Sequence, residues 1–283
     1  MKVRNCSTVL IFLLSIHIMM GQSKIETSKK ELTEKEGVHY NNGTTTVSSG
    51  RSSAKPDDSV IDNLFVEVVT AVFYYTAWSV VKYGIIGDYK HEKHLLNTLT
   101  AYPYLLGNEG DYSGKDRYSK TNFRIDLEDS FLYNSNTLYG NHFKAKIRPT
   151  ELFYFQADAR NLFEKDPINQ KNYNLFLADL AVCYDRIRFE KFNFGWKLGV
   201  SYVGNEVHTF GVAAGLNANY FMTNKISFSG STKWSAINGR SLSSYELDAK
   251  YHKKNGVFNF GYEHLKIGTP TYDFVKFGAG IYF

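Results

Sequence analysis

The chain has 283 residues, with 33 Lys plus Arg against 28 Asp plus Glu and a formal net charge of +5. So small an excess does not argue for nucleic acid as a partner. Aromatics reach 16%, charged residues 22% and mean hydropathy −0.33, which excludes a helical membrane protein but leaves room for strands with one greasy side.

Lys2 and Arg4 precede an apolar run from Val9 to Met20, followed by small and polar residues. That order predicts a secretory signal peptide over 1–21, cut after Gly21, because about a dozen apolar residues cannot span a bilayer. An uncleaved anchor is the alternative. Cys6 lies before the apolar run and so is not placed for lipid attachment. The mature chain would keep one thiol, Cys183, with no disulfide partner, and a net charge of about +3.

Residues 22–60 are rich in Ser, Thr, Lys, Glu and Gly, a composition that predicts a disordered periplasmic tail. Residues 61–120 form a mixed segment. Within it, 62–84 lacks turn residues and is flanked by Asp62 and Gly84 as caps, which predicts a helix at the periplasmic membrane interface or packed on a barrel mouth. Its β-branched and aromatic residues leave two strands as the second reading, and an inner-membrane span as the third. His91, Glu92 and His94 follow, with one residue between Glu and the second His where a zinc-protease helix needs two. No metal site is therefore predicted. The stretch reads instead as a connector packing Leu95, Leu96, Tyr102 and Tyr104 at a barrel mouth.

From Thr121 to the end, apolar and polar residues alternate with a period of two. Phe192, Phe194, Trp196, Leu198, Val200 and Tyr202 share one face, opposite Asn193, Gly195, Lys197, Gly199 and Ser201. Similar stretches recur, with tight turns at 223–225, 237–240 and 253–256. They predict ten strands near 122–133, 139–149, 152–163, 173–184, 192–203, 207–222, 225–237, 243–252, 257–267 and 272–283, or twelve if 62–84 adds two. Asp129 interrupts the apolar face of the first.

The polar face decides between a soluble sandwich and a membrane barrel. In a narrow lumen unpaired charges are costly, so facing charges should match. Folding at 134–136 sets Asp126 opposite Lys146 and Glu128 opposite Lys144. Folding at 239–240 sets Lys233 opposite Glu246, and folding at 268–271 sets Glu263 opposite Lys276. Arg124 opposite Arg148 is the exception. The matching predicts an all-β fold over 121–283, an antiparallel up-and-down transmembrane β-barrel with a salt-bridged interior.

The signal peptide, the amphipathic hairpins and a last strand "FVKFGAGIYF" together resemble Gram-negative outer-membrane β-barrel proteins. The resemblance covers about 160 residues. It implies a cell outer-membrane location, contact with outer-membrane lipids, and periplasmic chaperones and barrel-assembly machinery as biogenesis partners. Phe277, Gly280, Ile281 and Phe283 match its assembly signal. It does not imply one activity. Enzymes of this class place Ser and His, or Asp and His, near the outer rim. Here the nearest Ser–His combination, Ser227 with His252, points into the lumen near the periplasmic turns. No catalytic, cofactor-binding or metal residue is assigned. The leading expectation is a small barrel with a structural or interaction role and slight solute permeability; the alternative is a lipid-acting hydrolase of the phospholipase or lipid A deacylase type.

Overall fold

The computed structural model describes residues 23–33, 82, 84, 87, 95–114, 123–223 and 225–283. A helix, α1 (Lys24–Thr33), comes first, followed by a small hairpin of β1 (Thr98–Leu99) and β2 (Tyr112–Ser113). Ten strands follow: β3 (Arg124–Tyr133), β4 (Leu138–Arg148), β5 (Phe153–Asp166), β6 (Lys171–Arg188), β7 (Phe192–Val203), β8 (Thr209–Phe221), β9 (Ile226–Ile237), β10 (Arg240–Lys253), β11 (Gly256–Ile267) and β12 (Thr271–Tyr282). Each pairs with its sequence neighbour and β12 pairs with β3, closing the barrel. Among the described residues no helix is long and apolar enough to cross a membrane. The signal peptide, His91, Glu92, His94 and all of 62–84 but Lys82 and Gly84 lie outside the described residues.

The register between β3 and β4 is the expected one, with Asp126 opposite Lys146, Glu128 opposite Lys144 and Arg124 opposite Arg148. Two other hairpins are offset by two residues. Lys233 faces Ser244, and Glu246 faces Ser231. Asn238 and Gly239 both have positive φ, 52° and 79°, so the turn is centred between them and not on Gly239–Arg240. Lys276 faces Gly261, and Glu263 faces Phe274. There Ile267 N–H donates to the Pro270 carbonyl at 3.0 Å, which centres the turn earlier than 268–271.

Inward glycines let the wall bend around so narrow a lumen. A Cβ at Gly199 would overlap the carbonyl oxygen of Leu180 on the next strand. One bulge, between Asp185 and Ile187 on β6, shifts the pairing with β7.

Composition over 22–60 predicted disorder, yet 24–33 is helical. Two apolar residues seven apart, Ile25 and Leu32, are fully buried against the barrel, so a docking stripe outweighs the polar average. This part of the expected periplasmic tail is not at the periplasmic mouth either. Arg124 and Tyr282 put the barrel's two ends at one mouth, the periplasmic one in barrels of even strand number, and α1 packs on the turns of the other.

Candidate functional site

The charged lumen and its two closed mouths concentrate the chain's chemistry. At the outer mouth Ser23 caps α1, its hydroxyl accepting from Glu26 N–H at 3.2 Å. The Glu164 carboxylate takes hydrogen bonds from Ser23 Oγ (2.7 Å), Lys24 N (3.1 Å) and Ile25 N (2.8 Å), at the positive end of the helix. Glu31 accepts from Thr269 N–H at 2.7 Å, Lys29 pairs with Glu206 at 3.0 Å, and Asn238 donates to the Leu32 carbonyl at 2.7 Å. Ile25 and Leu32 join Leu132, Leu162, Leu265 and Phe274 in an apolar cluster inside the outer end. Three outer turns and the end of β5 thus hold one plug.

The middle of the lumen is an ion lattice centred on Arg160, which is 2% exposed. Its guanidinium reaches Glu263 (2.6 Å), Glu246 (2.9 Å) and Asp179 (3.0 Å), on three different strands. Glu246 also holds Lys144 at 2.8 Å and Lys276 at 3.1 Å, and Lys276 reaches Asp248 at 2.9 Å. Lys233 pairs with Asp179 at 2.5 Å. His142 bridges Glu263 (2.9 Å) and Asp158 (3.2 Å).

All eight residues predicted as lumen ion pairs therefore face inward, but through other partners. Asp126 is held by Arg124 at 2.7 Å and Arg148 at 3.4 Å, and Glu128 by Lys250 at 2.6 Å. Glu263 belongs to Arg160 and His142, not to Lys276. Lys146 makes no ion pair among the described residues and lies 5.9 Å from the Tyr154 ring. Sequence reasoning placed Asp179 in the lumen but missed His142 and Asp158 as lattice members, because the lattice partners meet across the lumen and not along a hairpin. Ligand atoms of His142, Glu246 and Glu263 lie within 4.8 Å of one another, a spacing that could hold a cation. Lys144, Arg160 and Lys276 already neutralise those carboxylates, so the cluster is complete as an ion-pair network.

At the periplasmic mouth the β1–β2 hairpin is threaded into the wall. Leu96 N–H donates to Arg188 O (2.9 Å) and Gly110 N–H to Glu190 O (2.7 Å). The Asp111 carboxylate meets Arg124 at 2.7 Å and accepts from Asn193 at 3.0 Å. Burial pushes the Asp111 carboxyl up, but Arg124 and Arg148 outweigh it and hold it well below the usual carboxylate range. Tyr112 donates toward Asp185 (2.7 Å) and Glu151 O (2.8 Å). Leu95 is buried and the Tyr104 ring sits 5.2 Å from that of His252.

Ser227 and His252 are in hydrogen-bond contact at 2.8 Å beneath this hairpin. The other ring nitrogen of His252 faces the Tyr282 hydroxyl at 3.5 Å, not a carboxylate. The cavity they share with Lys146, Lys250 and Arg124 measures about 20 Å³, room for about one water.

The outer surface has the opposite polarity. Val212, Leu247 and Phe260 are 76%, 65% and 63% exposed, whereas Glu263 and Lys276 inside are 0% and 2%. Only hydrocarbon around the wall reconciles an apolar exterior with an ionised interior. The chain is a transmembrane β-barrel. In this barrel Phe277, Ile281 and Phe283 face lipid, while Gly280 faces inward and a Cβ there would overlap the Leu127 carbonyl of β3.

No family model and no curated protein matches the chain. Among solved structures, it is similar to an outer-membrane channel from Pseudomonas putida F1 with a TM-score of 0.36 and 8% identity, over 60% of this chain and 99% of that one. OprG from Pseudomonas aeruginosa gives 0.31 and 10%, over 58% and 96%. Ail, the attachment invasion locus protein of Yersinia pestis, gives 0.28 and 12%, over 57% and 96%. At these values the inverted polarity of the wall, not the likeness, carries the assignment.

Proposed function

We propose that this barrel has a structural or interaction role in the outer membrane and carries at most slight solute flux. The observation behind this reading is the stack of three closures along one axis: α1, the Arg160 lattice and the β1–β2 hairpin. A solute crossing the lumen would have to separate buried ion pairs, each held in a confined space where water cannot screen the charges. Export by the 1–21 signal peptide and insertion by periplasmic chaperones and the assembly machinery complete the proposal, with Phe277, Gly280, Ile281 and Phe283 as the signal read. Purified protein in planar bilayers tests it. Silence under an applied voltage is the expected result, and steady current from the unmodified chain would favour a pore.

The second reading, a lipid-acting hydrolase, draws on the Ser227–His252 contact. The dyad lies in the lumen under the periplasmic hairpin, away from bilayer lipid, and lacks a carboxylate behind the His. A lipid-hydrolysis assay on the same preparation separates the two. Turnover that disappears in Ser227→Ala would favour the hydrolase.

A further inference from the structure

Asp129 is out of place. Along β3 it lies between the outward residues Leu127 and Phe131, and it is exposed on the lipid side. Other outward ionisable side chains on the described strands, such as Lys165, Lys253, His264, Lys266 and Asp273, sit within three residues of a strand end. Asp129 lies four residues below Tyr133, about 13 Å along the strand and about 10 Å into the bilayer at a tilt near 40°. An ionisable group at that depth is unfavourable against hydrocarbon and needs a polar neighbour.

Its own barrel supplies only part of that need. Asn141 donates to Asp129 Oδ1 at 2.7 Å. No donor among the described residues reaches the other carboxylate oxygen. One strand further round, Asn161 is opposite Asn141, exposed on the same face, and its amide has no partner among the described residues. One wall therefore presents, side by side within the apolar belt, a carboxylate short of a donor and an amide short of an acceptor. Phe131, Tyr139, Phe163 and Phe277 form an aromatic group beside them.

We propose that the outer face of β3–β5 is a dimer interface within the membrane, and that its occupant is a second copy of this chain. The donor–acceptor pattern is self-complementary. Under a two-fold axis along the membrane normal, Asn161 of each copy donates to the partner's Asp129, so both deficits are met twice by one symmetry operation. Asn141 keeps Asp129 oriented for that contact. A lipid acyl chain cannot do this, because it carries neither donor nor acceptor. The interface gives the interaction role a partner, but it rests on the lipid-facing wall and not on whether the lumen conducts.

The test uses the full chain in its native membrane. Asp129→Cys and Asn161→Cys versions are co-expressed and oxidised, and unboiled gels verify that each is folded. A cross-linked heterodimer is expected, well above the yield from Asp129→Cys with Leu247→Cys on the far wall. Equal yields from both combinations would overturn the proposal. Without cysteines, light scattering in mild detergent should find a dimer for the unmodified chain; a monomer at all concentrations also overturns it. Asp129→Ala should weaken dimerisation on the order of a hundredfold, since a charge-assisted hydrogen bond is lost on each side of the axis. Asp129→Asn, which still accepts from Asn161, should retain most of it. A bilayer recording with current alongside intact dimers would sink the plugged-lumen reading alone.

Discussion

Lys276 and Lys146 both point into the lumen, and they differ in what they touch. Lys276 lies between Glu246 and Asp248, almost without exposure. Its removal leaves Asp248 with no ion-pair partner among the described residues, and a buried pair broken from one side typically costs about 3–5 kcal/mol. Lys276→Ala should therefore lower the temperature at which the fast-migrating folded band disappears on an unboiled gel. Asp248→Ala in the same chain should recover part of the loss, and the double-mutant cycle isolates the pair. Lys146 makes no ion pair among the described residues, its neighbour Glu128 is already held by Lys250, and three cations, Lys144, Arg148 and Lys250, face the same lumen. Lys146→Met should shift the transition by less than about 1 kcal/mol, toward stability, because it removes repulsion and breaks no pair. Equal losses from both changes would mean that packing, not pairing, sets the stability of the lumen. The sequence carried this contrast only halfway. It placed both side chains inward through the two-residue alternation and matched Asp126 and Glu128 to the lysines across one turn. The partners that hold the charges come from across the barrel, where closure and shear decide who meets whom, and nothing local encodes that.

At the scale of elements, the alternation of β3 to β12 was legible because one face meets lipid along whole strands. Registers were less so: a two-residue turn at Asn238–Gly239 and an early turn before Pro270 each move a hairpin by two positions. The helix over 24–33 and the pairing of β1 with β2 escaped notice for a different reason. They are short, and their burial depends on the barrel they dock against. The β1–β2 hairpin offers a pH test. The Asp111 carboxyl is held below its ordinary value in the docked state, so docking favours the ionised form. Its contribution is complete above the unfolded pKa of about 3.9 and is lost as pH falls toward the lower docked value. Pepsin, active across this range, should leave 95–114 intact at about pH 5 and cut it increasingly toward about pH 2. Asp111→Asn should make the segment cleavable throughout and flatten that dependence. Uniform resistance in both proteins would show that Tyr112 and the backbone bonds to Arg188 and Glu190 suffice.

For the whole molecule, closure depends on its weakest seam. The pairing of β12 with β3 runs only from Val275–Tyr133 to Tyr282–Asp126, the shortest interstrand ladder in the barrel. Phe283 extends it by a reciprocal pair of backbone bonds: its N–H donates to Ile125 O at 2.9 Å, and Ile125 N–H donates back at 3.1 Å. The side chain is 64% exposed and faces lipid near the periplasmic rim, where an aromatic ring is favoured. Deleting Phe283 thus removes two bonds from the seam and the lipid-facing group that resembles the assembly signal. The change should abolish most of the heat-modifiable protein in the membrane. The two contributions separate with Phe283→Ala, which keeps both backbone bonds and loses only the ring. If the ring is read during insertion, Phe283→Ala should fail as the deletion does. If the seam is limiting, Phe283→Ala should insert normally and only the deletion should fail. Normal amounts of folded barrel from the deletion itself would mean that Val275 to Tyr282 suffice to close the wall.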